Sequence, residues 1–199
     1  MGVAIELLIV DWPRVEAAAP SDREELLSDA AFGEAYSDDL FEHGWSCSAQ
    51  PGEGWFARYA FRNTHGSYKP HVWAGFRWEY MREFVEPKVR EVLDGFSDAL
   101  FWHGSEDTAG VVSELPERPY AWEADLLLWC PPDHVPLIAG WWRQVETQLE
   151  VLREPFVQHA AEPGGRIGTF ESFADLLSDW GEVVTEADRR GWGIVGLRC

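Results

Sequence analysis

The hydrophobic pattern of this chain changes its period several times, and these changes restrict the fold more than any other feature. Short apolar runs at 2–10, 122–129 and 194–197 indicate strands, and residues 55–62 alternate as a strand with one buried face does. Elsewhere apolar residues recur every three or four positions, which indicates amphipathic helices. The sequence therefore predicts an α+β fold with about three or four strands covered by helices.

Prolines and capping residues divide the helical regions. Pro87 separates one apolar stripe, residues 73–84, from a second helix that runs from about 88 to 102. Thr169 is a suitable N-cap for the last helix. The run at 126–128 consists of three leucines, which predicts a strand that is covered on both faces and lies in the centre of the sheet.

The length and composition of the chain predict one domain. The chain has 199 residues, of which 46% are hydrophobic, and these include twelve Trp and eleven Phe, so it contains enough apolar surface for one good core. No change of composition marks a boundary. We therefore expect a single acidic α+β domain that spans residues 1–199.

The cysteines and the N-terminal segment indicate a cytoplasmic protein. Cys47, Cys130 and Cys199 are far apart and form no CxxC pair, which argues against a disulfide framework and against a zinc knuckle. The first apolar run is short and is interrupted by Glu6, so it fits neither a signal peptide nor a membrane span. Fourteen arginines against two lysines are typical of a GC-rich bacterial source.

The formal net charge of −19 restricts the class of partner. Such a field repels nucleic acid phosphates and anionic membrane surfaces, whereas it attracts a basic protein. Because no catalytic pairing, cofactor motif or metal motif is recognisable, we expect no cofactor and no enzymatic activity. The first hypothesis is a non-catalytic binding protein, such as an acidic inhibitor or immunity-type partner of a basic protein. In the alternative interpretation, the negative charge only keeps the protein soluble.

Two segments sixty positions apart resemble each other. Residues 37–44 and 97–104 share six of eight residues, and both end in His-Gly. This predicts a duplicated helix-loop-strand unit, 22–62 and 82–128. His43 and His103 would then be paired, either as two imidazoles that face one ligand or as C-terminal helix caps.

Residues 55–90 are the positive part of a negative chain. They contain seven basic and three acidic residues, a balance of +4, while the remainder of the chain sums to −23. The alternation places Arg58 and Arg62 on one face of a strand, and Arg77 has no acid three or four residues away on its helix. These three arginines therefore lack local partners.

The same segment contains aromatic residues that suit a planar ligand. His71 and Trp73 lie close in sequence to Arg77, and guanidinium groups beside aromatic rings bind carboxylates or phosphates. The alternative hypothesis is therefore an enzyme or small-ligand binder with an aromatic, Arg-containing pocket for an anionic molecule. In the competing structural interpretation, distant Asp and Glu residues pair with the three arginines.

Overall fold

The sheet has five strands in a computed structural model that describes residues 4–32, 43–46, 54–102, 126–161 and 165–198. The strands are β1 (Ile5–Val10), β2 (Gly44–Ser46), β3 (Phe56–Ala60), β4 (Leu126–Cys130) and β5 (Gly193–Arg198). They lie in the order β2-β3-β1-β5-β4, and every neighbouring pair is antiparallel. The α+β class is confirmed. The strand that the sequence did not predict is β2, because its three residues are too few to show a period of two.

Helices cover both faces of this sheet. They are α1 (Trp12–Ala17), α2 (Arg23–Phe32), α3 (Lys69–Met81), α4 (Pro87–Leu100), α5 (Val135–Val145), α6 (Arg153–Pro155) and α7 (Phe170–Arg190). A 3-10 helix (Glu146–Leu152) precedes α6, and a π-helical turn (Phe156–Ala160) follows it. In the part of the chain that is described, no helix is long and apolar enough to cross a membrane.

Alternation along β1 assigns its side chains to two hydrophobic clusters. Ile5, Leu7 and Ile9 belong to the larger cluster, which also contains buried residues of α3, α4, α5 and α7. Leu8 and Val10 belong to the smaller cluster, to which α1 and α2 contribute. The central strand is therefore apolar on both faces because helices bury both faces.

The helix boundaries around Pro87 and Thr169 agree with the prediction. A 3-10 turn (Arg82–Phe84) follows α3, and α4 begins at Pro87, where the missing N–H costs no helical hydrogen bond. The hydroxyl of Thr169 accepts a hydrogen bond from the backbone N–H of Ser172, as an N-cap does. Pro87 and Thr169 therefore set the starts of α4 and α7 through the backbone geometry and hydrogen bonding of their own first turns.

The predicted central position of β4 is wrong. Among the described strands β4 lies at an edge of the sheet, beside β5. Leu128 and Cys130 are buried in the larger cluster, and Trp129 packs against the smaller one. An edge strand that is covered on both faces carries the same apolar pattern as a central strand, so the pattern does not distinguish them.

The predicted duplication falls partly on undescribed residues. Residues 97–100 are the last turn of α4, but residues 37–40 of the first copy lie outside the described residues. Gly44 begins β2 with φ of 102°, and its counterpart Gly104 is also undescribed. The internal repeat therefore stays a prediction.

Two glycines in helices provide a test of core packing. A side chain at Gly181 of α7 would overlap the indole ring of Trp142, whereas at Gly140 of α5 the nearest neighbouring atom lies 3.9 Å away, on Arg143. We expect Gly181→Ala to lower the free energy of unfolding by about 1–3 kcal/mol, because the core has no room for the methyl group.

Gly140→Ala is the matched control for this prediction. Alanine has a higher helix propensity than glycine, so we expect this variant to raise the free energy of unfolding by up to about 1 kcal/mol. Urea unfolding followed by circular dichroism measures both changes. Equal stabilisation of the two variants would contradict the packing of Trp142 against α7.

Candidate functional site

Arg58 projects to the sheet face that α1 and α2 cover. It lies opposite Leu8 of β1, and its Nη1 donates to the carbonyl oxygen of Ala31 at 2.7 Å, in the last turn of α2. Burial raises the pKa of the Glu6 carboxyl, and the positive charge of Arg58 opposes that rise. Through its hydrogen bond to the carbonyl oxygen of Ala31, the guanidinium group of Arg58 caps the negative end of α2.

Arg62 projects to the other face, against α7. Its Nε donates to Oδ1 of Asp179 at 2.7 Å, its backbone N–H donates to Oδ2 of the same carboxylate at 2.7 Å, and Nη1 donates to Asp175 at 3.2 Å. Hydrogen bonds to Asp179 raise the pKa of Arg62. The prediction that Arg58 and Arg62 share a face is wrong, because β3 ends at Ala60 and its alternation does not continue to Arg62.

The carboxylates of α7 also hold Tyr59. The phenol oxygen lies 2.9 Å from Oε2 of Glu182 and 3.2 Å from Oδ1 of Asp179, and both contacts suit donation by the hydroxyl. Burial, reinforced by these two negative groups, raises the pKa of Tyr59. The result is a network in which Asp179, itself fully buried, joins the side chains of Arg62 and Tyr59.

The acids of this network were not among the residues that the sequence pattern indicated. A signal was present, because Asp179 occupies a position on the apolar stripe of α7 between Leu176 and Val183, which are both buried. A carboxylate at a core position of a helix requires a partner. No such signal marked Asp175, which is half-exposed.

Arg77 is buried inside the protein. Its Nη1 donates to the carbonyl oxygen of Ala160 at 2.7 Å and its Nε donates to that of Ile167 at 3.0 Å. The guanidinium carbon lies 5.3 Å from the centroid of the Trp73 ring, so the predicted proximity of these two residues is observed. Burial lowers the pKa of Arg77. The side chain thus links α3 to the segment before α7.

His71 lies in an aromatic enclosure. It is fully buried, and the rings of Phe61, Tyr68 and Trp180 pack against it. The indole N–H of Trp180 donates to Nδ1 of His71 at 3.1 Å. Burial lowers the pKa of His71 to about 3, so the imidazole is neutral near pH 7.

The predicted histidine pair is only partly described. His43 is exposed and directly precedes β2, while His103 lies outside the described residues. Whether the two imidazoles approach each other, or cap helices, stays a prediction. Within the described ranges, no group of three or more His, Cys, Asp or Glu side chains is arranged to hold a metal ion.

The three arginines do not converge. The guanidinium group of Arg58 lies at the end of α2, that of Arg62 on α7, and that of Arg77 in the interior. Each already donates to oxygen atoms of the protein itself. This arrangement stabilises contacts between elements, and it assembles no common anion site. An anionic ligand bound by other residues stays a prediction.

Acidic side chains, by contrast, are available on the surface of α1 and α2. We define the acidic face as Glu16, Asp22, Glu24, Glu25 and Asp29. All five side chains are exposed, and none forms an ion pair with a described residue. On the other side of the sheet, Glu150 and Glu171 pair with Arg153. The acidic face thus holds five negative charges that no described ion pair neutralises, and the exposed acids Glu91, Asp133 and Glu146 also lie outside these ion pairs.

Comparisons with models of known protein families, with curated proteins and with solved structures give no match. The function of the acidic face has to be inferred from its charges, its exposure and its neighbours.

Proposed function

We propose that the protein is a non-catalytic binding partner of a basic protein and that the partner docks on the acidic face. The single observation that supports this proposal is that the five acids of this face are exposed and unpaired. Their charge is not used within the fold. It therefore remains available to attract positive charge in solution.

The charge balance of this region strengthens the proposal. Residues 11–32 contain six acids and two arginines. One of these, Arg23, donates to the backbone carbonyl groups of Ala18 and Glu16. The two guanidinium groups offset two of the six negative charges and leave four unbalanced charges. A basic surface that approaches α1 and α2 gains from each of them.

An aromatic side chain borders the acidic face. Phe32, the last residue of α2, is 42% exposed. Protein interfaces commonly combine an aromatic anchor with a polar rim, since the apolar contact supplies affinity and the charges supply orientation and association rate. Phe32 is the residue of this region that suits the anchor.

The proposal predicts a charge-steered association. A basic protein captured from extracts of the native cell at low salt is identified and purified, and its association kinetics are then measured. We expect the association rate constant to fall steeply as salt rises to physiological strength, because ions screen the field of the acidic face. Failure to recover any basic protein at low salt would contradict the proposed function.

Variants of equal net charge then test the docking surface. The triple variant Glu24→Gln, Glu25→Gln, Asp29→Asn neutralises the acidic face, and we expect it to slow association about tenfold.

The matched control for these variants neutralises three exposed acids on the other side of the sheet. It is Glu91→Gln, Asp133→Asn, Glu146→Gln, and we expect only a small change in rate. Equal slowing by both triples would show that the overall charge, rather than the acidic face, attracts the partner.

A further inference from the structure

The contact between His71 and Trp180 joins α3 to α7 inside the larger cluster. Both side chains are fully buried. Tyr68 stacks on the imidazole with ring centroids 5.4 Å apart, and Phe61 meets it edge-on at 4.7 Å. The indole-imidazole hydrogen bond is therefore shielded from water by aromatic rings.

This hydrogen bond determines which nitrogen of His71 carries the proton. An indole N–H is a donor only, so Nδ1 of His71 accepts and has no proton of its own. The proton of the neutral imidazole is therefore on Nε2. That nitrogen is buried and has no hydrogen-bond partner among the described residues.

Protonation of His71 is incompatible with this arrangement. A proton on Nδ1 would face the N–H of Trp180, so that two donors oppose each other, and the new positive charge would lie among aromatic rings. Among the described residues, the neighbouring polar side chains are already bonded to other groups. The Tyr68 hydroxyl donates to the carbonyl oxygen of Phe101, and Asp179, next to Trp180 on α7, is bonded to Arg62.

We propose that the contact between His71 and Trp180 is an acid-sensitive lock: the neutral imidazole holds α3 against α7, and His71 takes up a proton only in a chain in which the two helices have separated. The lock is independent of the acidic face and of any partner. Acid therefore favours the state in which the two helices are apart.

The direction of the pH effect follows from the two states of His71. Burial lowers the pKa of His71 to about 3 in the folded protein, whereas an imidazole in an unfolded chain has a pKa of about 6.5. Above pH 7 the group is neutral in both states and has no effect. As the pH falls below 6.5, only the unfolded chain takes up the proton, so folding loses stability.

The variant His71→Gln tests the lock. Its side-chain oxygen still accepts from Trp180, but it does not titrate. We expect the folding constant of the wild type, relative to that of His71→Gln, to fall about thirtyfold between about pH 7.5 and pH 5. Urea unfolding at each pH measures this ratio. A constant ratio would overturn the proposal.

The exposed His43 provides the matched control. Relative to His43→Gln, we expect the wild type to show no such loss of stability on acidification. A loss equal to that measured against His71→Gln would show that histidines in general cause the effect, and it would overturn the proposal.

A measurement on the unmodified protein covers the case in which His71→Gln does not fold. The NMR signals of the His71 ring are expected to show the Nε2–H tautomer and to remain constant from about pH 7.5 to pH 5 in the folded protein. Titration of this ring near pH 6.5 without unfolding would contradict the proposal.

Discussion

Replacing Arg77 with alanine is expected to lower the free energy of unfolding by about 3–5 kcal/mol, because the change leaves a cavity and two unsatisfied carbonyl groups. The side chain is fully buried, and it donates to the carbonyl oxygens of Ala160 and Ile167. Urea unfolding followed by circular dichroism measures the loss.

Two further variants separate the contributions of Arg77. Arg77→Met retains most of the apolar stem and removes the donors, so we expect a smaller loss of about 1–3 kcal/mol. Arg14→Ala removes an exposed arginine of α1 and is expected to change stability by less than about 0.5 kcal/mol. If Arg77→Met is as stable as the wild type, the hydrogen bonds from Arg77 to the two carbonyl groups contribute no net stability.

Replacing Asp179 with alanine is expected to cost about 3 kcal/mol, since it removes the buried acceptor of Arg62 and Tyr59. The loss is smaller than that expected for Arg77→Ala. The side chain of Arg62 is one-third exposed, so solvent can reach its guanidinium group, and the hydroxyl of Tyr59 retains Glu182.

Asp175→Asn is the matched control for this prediction. It removes the other carboxylate of Arg62, but that group is 42% exposed, so we expect a loss of at most about 1 kcal/mol. The double variant Asp179→Ala, Arg62→Met should lose less than the sum of the two single changes. Additive losses would show that the network does not act as a unit.

The three arginines find their partners far away along the chain, where no local sequence pattern can indicate them. The sequence pattern predicts no local acidic partner for Arg58, Arg62 and Arg77. Their actual partners include Asp179, 117 positions from Arg62, and Ala160, 83 positions from Arg77. Two of the three arginines bond to backbone carbonyl groups, which carry no signature in the sequence at all.

The aromatic residues show a similar division. The helical stripe that includes Trp73 correctly indicated α3, because a period of 3.6 is a local property. It did not indicate that His71 and Trp180, on different helices, form a buried hydrogen bond. A histidine near the start of a helix has the same sequence context whether it is buried or exposed.

The sequence by itself determined the α+β class, the positions of β1, β3 and β5, the separation of helices at Pro87 and the cap at Thr169. These features depend on hydrophobic period and backbone geometry within a few residues, so neighbouring positions contain the necessary information. The sequence also determined the excess of negative charge. Only the tertiary structure decided that β4 lies at an edge among the described strands, that the five arginines of 55–90 are bonded within the fold, and that the acids of α1 and α2 are exposed without a described ion pair. Those outcomes depend on which elements pack together, and packing joins residues that no local pattern connects.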